Sequence, residues 1–291
     1  MNPKNNKPTT KGAIKMKSLT LKYAIAFLSG IVMVGSVSGF SIVNANRTLH
    51  SNPYVQSSVH AVNPSVYQSI TKFKKNETPD QVMWKEKTIT LLAKKVELEN
   101  VPSSEKSVIT SITIKKGEKS YTLKTDGYND KLRDISSAVL SPSNTWLAIQ
   151  AQRSAGDTLL LINLTTGKST IVNDLLKAKG KKNVESITAY NWSPKEDQIA
   201  FSFGDTSSSS LAIYNTKKDG FIYLPRETDY ISTGLILWHK DGKSLDYISE
   251  YPSDQKKLYR YSMDSKKVKS VKKISQSEFQ KWFKLDKYQT N

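Results

Sequence analysis

The sequence predicts an all-β fold: a propeller-like repeat domain of three to four four-stranded blades, set behind an N-terminal membrane segment and a linker. Three observations predict it. A strand–turn–strand unit recurs with fixed internal spacing. Apolar and polar residues alternate within those units, as half-buried strands require. A basic tail and a long uncharged run precede them.

Residues 1–22 form a basic tail with six lysines (Lys4, Lys7, Lys11, Lys15, Lys17, Lys22) and no acid. Residues 23–43 then carry no charge, and as a helix rising about 1.5 Å per residue they are long enough to cross a bilayer. The lysines before this run and the lone Arg47 after it predict the N-terminus inside and the bulk of the chain outside. A buried core helix suits the run poorly, because it is apolar on every face.

Two outcomes fit the run. Its length exceeds the 7–15 residues of a signal-peptide core, and Gly35 and Gly39 form a GxxxG helix-pairing face; both favour a retained transmembrane anchor. Val43-Asn44-Ala45 places small residues three and one before a cut, which favours cleavage of a signal peptide after Ala45. Export is common to both. The expected location is the cell membrane, single-pass with the bulk outside, or secretion after cleavage.

Residues 46–85, polar and marked by Asn52-Pro53 and Asn63-Pro64, read as a linker with a short helix around residues 64–73. Residues 86–275 read as the β domain. Residues 276–291 read as a short helix and tail. "SQSEFQKWF" (275–283) supplies a capping box, Ser275 with Glu278, and an apolar face of Phe279, Trp282 and Phe283 that closes on the β domain.

The repeat is visible in "LSPSNTWLAIQA" (140–151), "WSPKEDQIAFSF" (192–203) and "WHKDGKSLDYIS" (238–249). In each, Leu140, Trp192 or Trp238 lies seven positions before Leu147, Ile199 or Leu245. A further apolar strand follows at a near-constant offset, ending on Ile162, Tyr214 and Tyr261. Pro142 and Pro194 cannot donate to a ladder and so end the first strand. Asn144, Asp197 and Asp241-Gly242 supply turn residues. Ile199, Phe201 and Phe203 then face one side, Ala200 and Ser202 the other. "TTGK" and "KKDG" turn into fourth strands, "STIV" and "FIYL". Four short antiparallel strands per unit make a blade. Upstream, residues 87–98 and 108–125 give about three more strands with a hairpin at Gly117. They form either a degenerate fourth blade or an edge that leaves the array open.

These units resemble the WD40-like repeats of the TolB family of bacterial β-propellers, whose shared pattern is a strand, W-S-P-D-G, an I-A-F strand, and a third strand ending in Asp. Trp192-Ser193-Pro194 with Ile199-Ala200-Phe201 carries the match. The first unit has Leu140 for Trp, the third has His239-Lys240 for Ser-Pro, and the terminal Asp is replaced by Asn163, Asn215 and Ser262. The resemblance covers about residues 135–275. It implies a propeller that binds or scaffolds at the outer face of the membrane.

No residue reads as catalytic, cofactor-binding or metal-binding. His50, His60 and His239 lack metal spacing, and His239 reads as an exposed turn residue. Gly167-Lys168-Ser169 lacks the upstream glycine of a phosphate loop. Ser207 to Ser210 form a loop without a nucleophile elbow. Glu196, Asp197 and Asp241 belong to turns. Trp192 and Trp238 read as inter-blade core. The absence of cysteine excludes disulfides, thiolate chemistry and a lipidated cysteine.

The chain carries 44 basic and 26 acidic residues, a balance of +18; without the six tail lysines it is 38 against 26, or +12. A lysine-coated surface of this kind is soluble and is attracted to anionic lipid or wall polymer. Arginine is scarce and no nucleic-acid module appears. The expected function is non-enzymatic binding or scaffolding without a cofactor, toward a protein or an anionic wall or lipid polymer. The alternative is an exported hydrolase with its site in the propeller mouth.

Overall fold

The computed structural model of the protein describes residues 64–68, 73–102, 106–125, 131–225, 232–249 and 256–283. The uncharged run, its flanking tail and the Ala45 cleavage motif lie outside the described residues. No helix among the described residues is long and apolar enough to cross a membrane.

Four antiparallel sheets follow one another along the chain, each ordered as its strands occur in sequence. Blade 1 has five strands: β1 (Lys74–Thr78), β2 (Gln81–Glu86), β3 (Ile89–Glu97), β4 (Ser107–Lys116) and β5 (Lys119–Lys124). Blade 2 comprises β6 (Asp134–Leu140), β7 (Trp146–Gln152), β8 (Asp157–Asn163) and β9 (Ser169–Ile171). A short helix, α1 (Val172–Ala178), leads to blade 3: β10 (Ser186–Trp192), β11 (Gln198–Gly204), β12 (Ser209–Asn215) and β13 (Gly220–Tyr223). Blade 4 is β14 (Thr233–Trp238), β15 (Ser244–Ser249), β16 (Lys257–Ser262) and β17 (Val268–Lys273), and α2 (Gln276–Phe283) follows.

The repeat spacings are pairing registers. Leu140, Trp192 and Trp238 sit directly across from Leu147, Ile199 and Leu245. Those three in turn sit across from Ile162, Tyr214 and Tyr261. Constant spacing in sequence is therefore constant cross-strand geometry, the unit in which a sheet is stabilised.

Each repeat residue points at the preceding blade. Trp192 and Trp238 are fully buried at the blade 2–blade 3 and blade 3–blade 4 interfaces. The Trp192 indole N–H donates to the Val139 carbonyl of blade 2 at 3.2 Å, and Trp238 donates to the Asn191 carbonyl of blade 3 at 3.1 Å. Val139 and Asn191 hold the same place in their units, one before the repeat residue, so the stitch itself repeats. Asn191 adds a bond from its Nδ2 to the Ile236 carbonyl of blade 4. Tryptophan suits this place because it fills the interface and satisfies its one donor on a backbone carbonyl of the blade before.

The central strands of blades 2 to 4 are buried on both faces. Ile199, Phe201 and Phe203 pack toward blade 2 while Ala200 and Ile213 pack toward blade 4. Blade 1 is different. Its Val82, Trp84, Ile89, Leu91, Ala93 and Ile114 face blade 2, while the alternate residues, mainly polar (Lys85, Thr90, Lys94, Thr113) but including Met83 opposite Leu92, are half-buried or exposed. One face of blade 1 is thus mainly polar, as in any antiparallel sheet with one solvated side. Blade 4 keeps an apolar second face of Leu235, Leu237, Ile248 and Leu258, and Tyr67, Ile274, Phe279 and Trp282 cover it. Among the described residues no further blade covers either end of the array; one end face is mainly polar and the other is capped.

Three sequence expectations need correction. The sheet begins at Lys74 and not near residue 86, so residues 74–85 of the expected linker belong to blade 1; β1 and β2 pair fully across the turn at Pro79-Asp80. The helix expected around residues 64–73 is a single 3₁₀ turn, Pro64–Val66, after which Tyr67 bridges to His239 as extended chain. The fourth strand expected through Val172 stops at Ile171, and Val172 opens helix α1; Val172 and Leu176 are buried against blades 2 and 3, and Asn173 bonds the start of β8.

Blades 1 and 2 also meet at Tyr121, which donates to the Thr165 carbonyl at 2.9 Å and covers Gly167. Gly167 has φ +77°, and an added Cβ would lie 2.2 Å from the Tyr121 ring. Gly167→Ala should therefore cost more than the roughly 1 kcal/mol of an incompatible φ alone. Trp192→Phe, which keeps much of the bulk and removes the bond to the Val139 carbonyl, should cost about 0.5–1.5 kcal/mol from the lost bond. Equilibrium urea unfolding checks both; an unchanged midpoint for Trp192→Phe would remove the stitch from the account.

Candidate functional site

Among the described residues the most deeply buried carboxylate, Asp246, lies under the cap. Asp246 of β15 and Arg260 of β16 are direct cross-strand partners on the outer face of blade 4. The Asp246 carboxylate accepts from Arg260 Nε on Oδ1 at 2.7 Å and from Arg260 Nη2 on Oδ2 at 2.8 Å. Tyr67 O–H donates to Oδ2 at 2.6 Å, and His239 Nε2 lies 3.2 Å from Oδ1. Tyr67 also meets the His239 and Trp282 rings edge-on, at centroid separations of 5.2 and 5.4 Å.

The repeat explains what is unusual here. The positions equivalent to Asp246 and Arg260 are Ala148 and Leu161 in blade 2, and Ala200 and Ile213 in blade 3. Those pairs face the next blade. In blade 4 there is no next blade among the described residues, and the same place holds a carboxylate and a guanidinium for the cap.

Burial alone would push the Asp246 carboxyl up. The Arg260 bonds, with His239 and Tyr67 adding to them, outweigh burial and hold it below the usual carboxylate range. Burial, and then the Asp246 charge, pushes the Tyr67 hydroxyl well up. Every Asp246 oxygen is thus engaged by fixed groups, so the carboxylate is placed to hold structure and not to take a proton or attack a substrate. His239, expected as an exposed turn residue, is instead mostly buried and closes this cluster, because Tyr67 lies across its turn.

Two clefts open among the turns. One of about 220 Å³ lies between blades 3 and 4 and is lined by Ser193, Lys195, Glu196, Asp241, Lys243 and Asp264, among others. The other, of about 200 Å³, lies between blades 1 and 2 and is lined by Glu86, Lys87, Lys116, Leu140 and Asn144. Both sit where the β-turn of one blade meets its neighbour. Leu140, standing where the later units carry Trp, lines the second. Glu196 and Asp241, read from sequence as turn residues, line the first, and Asn144 takes its turn with φ +54°. Asp197 serves otherwise: its carboxylate accepts from Ser143 Oγ at 2.6 Å, and its carbonyl accepts from Thr216.

The other sequence candidates resolve as structure. Asn163 and Asn215, in place of the expected third-strand Asp, accept backbone N–H groups through their side-chain oxygens, from Thr165 and Thr166 and from Lys217 and Lys218. Ser262 does so more weakly, from Ser265 at 3.3 Å. Gly167-Lys168 closes a strand turn. Ser207 and Ser208 bond the Asp205 carboxylate. The capping box forms, with Ser275 Oγ accepting from the Glu278 N–H and Glu278 accepting from the Ser275 N–H. Phe279 and Trp282 pack on blade 4, whereas the Phe283 side chain lies outside the described residues. His50 and His60 lie outside them too. Among the described residues, no three His, Asp or Glu groups gather as a metal site.

No family model matches this chain, and no curated protein matches its sequence. Solved structures similar to it include TolB from Acinetobacter baumannii, at 18% identity over 62% of this chain and 41% of that one, with a TM-score of 0.38. A putative TolB from Agrobacterium tumefaciens is 14% identical over 69% of this chain and 80% of that one, at TM-score 0.36. Puromycin hydrolase is 10% identical over 72% of this chain and 30% of that one, at 0.40. The chain thus spans less than half the length of the first of these and of the hydrolase. The blade architecture itself rests on the sheet order and registers above.

The buried Asp246 cluster has a measurable pH signature. Its folded-state carboxyl lies below the unfolded value of about 3.9, so its contribution is complete above about pH 4 and is lost as pH falls through the folded value. Asp246→Asn should flatten that acid limb of stability. Asp246→Ala alone should cost about 3–5 kcal/mol by stranding Arg260, whereas Asp246→Ala with Arg260→Leu, which copies blade 2, should cost less than the single change. A double variant less stable than Asp246→Ala would contradict this account of the Asp246 cluster.

Proposed function

We propose that this chain is a non-enzymatic binding or scaffolding protein that works at the outer face of the cytoplasmic membrane, held there by residues 23–43. One observation carries the reading. The buried Asp246 carboxylate has both oxygens engaged beneath the cap, while the polar groups left open line shallow inter-blade clefts along the turns. Each of these clefts is smaller than the roughly 300–1,000 Å³ that encloses a small-molecule substrate. Paired lysines and carboxylates on a row of turns suit a protein surface or a polar polymer, recognised at several shallow points. The six tail lysines and the uncharged run support the location.

Detergent extraction of the tagged full chain should co-purify a membrane or envelope partner. Reversing Lys195 and Lys243 to Glu should weaken that capture at least severalfold and leave the unfolding midpoint unchanged. Hydrolytic turnover abolished by one carboxylate substitution would favour the exported hydrolase instead. Fractionation checks the location: the expected protein is full-length and resists a high-salt wash. A mature N-terminus at Asn46 with release by salt would establish cleavage after Ala45, and recovery from the cytoplasm would contradict both.

A further inference from the structure

We infer that the lysine-bearing edge of blade 4 docks on the anionic headgroups of the outer leaflet, which rests on the membrane location proposed above. The positive charge is unevenly placed. Residues 256–283 hold nine basic residues and two acidic ones, a balance of +7 within the +12 of residues 46–291. Arg260 is spent on Asp246, Lys272 on Glu278 at 2.5 Å, and Lys256 lies over the Phe279 ring. Lys257, Lys266, Lys267, Lys269 and Lys273 carry no ion pair among the described residues. All of these but the half-buried Lys257 are exposed.

Their register works against local stability. Lys257 stands directly across from Lys273, and Arg260 from Lys269, and like charges directly opposed destabilise a sheet. Lysine is a common guard for an open edge strand, yet this protein does not use it that way throughout. The outer strands β9 and β13 contain none, although Lys181 lies over Tyr223 of β13, and β5 carries two, Lys119 and Lys124. Three lysines on β17, two in its turn and one opposite exceed the number at any other outer edge among the described residues.

The entry point of the chain selects a bilayer over a soluble anion. The described domain begins on blade 4, where Lys240 N–H donates to the Val66 carbonyl and Tyr67 packs on Trp282. The first described residues thus lie on the blade that carries the lysines. A row of amines on an extended strand and its turn, with no enclosing pocket of their own, matches a plane of phosphates met at several points.

The chain has no cysteine, so single labels can be placed cleanly. Ser270→Cys on β17 and Ile222→Cys on β13 would each carry an environment-sensitive fluorophore in the full chain. The chain is reconstituted in vesicles of phosphatidylcholine alone or with about 30% phosphatidylglycerol. The Ser270 label should shift only in the anionic vesicles and the Ile222 label in neither. The shift should fade as salt approaches about 1 M. Changing Lys257, Lys266, Lys267, Lys269 and Lys273 to Gln should abolish it with the circular dichroism spectrum unchanged. An equal response at both labels, a response in neutral vesicles, or persistence in the lysine variant would overturn the inference. So would soluble poly(glycerol phosphate) shifting the Ser270 label where phosphatidylglycerol does not. A protein retained in membranes whose Ser270 label ignores phosphatidylglycerol defeats this inference alone, whereas recovery from the cytoplasm defeats the location on which it rests.

Discussion

A blade with two apolar faces cannot exist alone, and that constraint governs this chain. Blades 2, 3 and 4 each hold central strands that would expose apolar side chains if either neighbour were missing. A fully buried large aliphatic or aromatic side chain contributes about 1.5–3 kcal/mol through removal from water. Each interface buries several, so stacking dominates over anything a single sheet supplies. The indole bonds of Trp192 and Trp238 add modest energy and a defined offset between blades, because only one placement lets each N–H meet a carbonyl of the blade before.

The two ends of such a stack pose different problems, and the chain solves them differently. Blade 1 turns a mainly polar, alternating face outward. Blade 4 carries the apolar face of an inner blade and is closed by Tyr67 from one side of the sequence and by α2 from the other. The Asp246–Arg260 pair joins these elements through Tyr67 and His239. A buried ion pair is weak evidence of net stability. Its value here is better seen as directional: it holds one particular cap at a position where the inner blades make do with Ala and Leu or Ile.

Much of this was legible. The 15-residue offset between Ile199 and Tyr214, and its counterparts, anticipated the registers directly. The capping box at Ser275 and the burial of Phe279 and Trp282 followed from local pattern. The first sheet was under-read because β1 is polar throughout, so Lys74–Thr78 has no period to detect. Helix α1 escaped because it is short and follows the β-branched run at Thr170 and Ile171. The cap cluster was partly readable in retrospect. Asp246 and Arg260 each interrupt an apolar strand, and the Leu245–Tyr261 pairing sets them face to face. Tyr67 was not, since nothing local in a polar segment announces a contact 179 residues away.

The central claim is that the cap and blade 4 form one cooperative unit at the end of a stack. Native-state amide hydrogen exchange tests it most directly. The account expects α2 to exchange with the opening free energy of β14 to β16, while β7, β8, β11 and β12 are the slowest of all. If α2 instead exchanges like a frayed terminus while β14 to β16 keep full protection, blade 4 does not depend on its cap and the account is wrong.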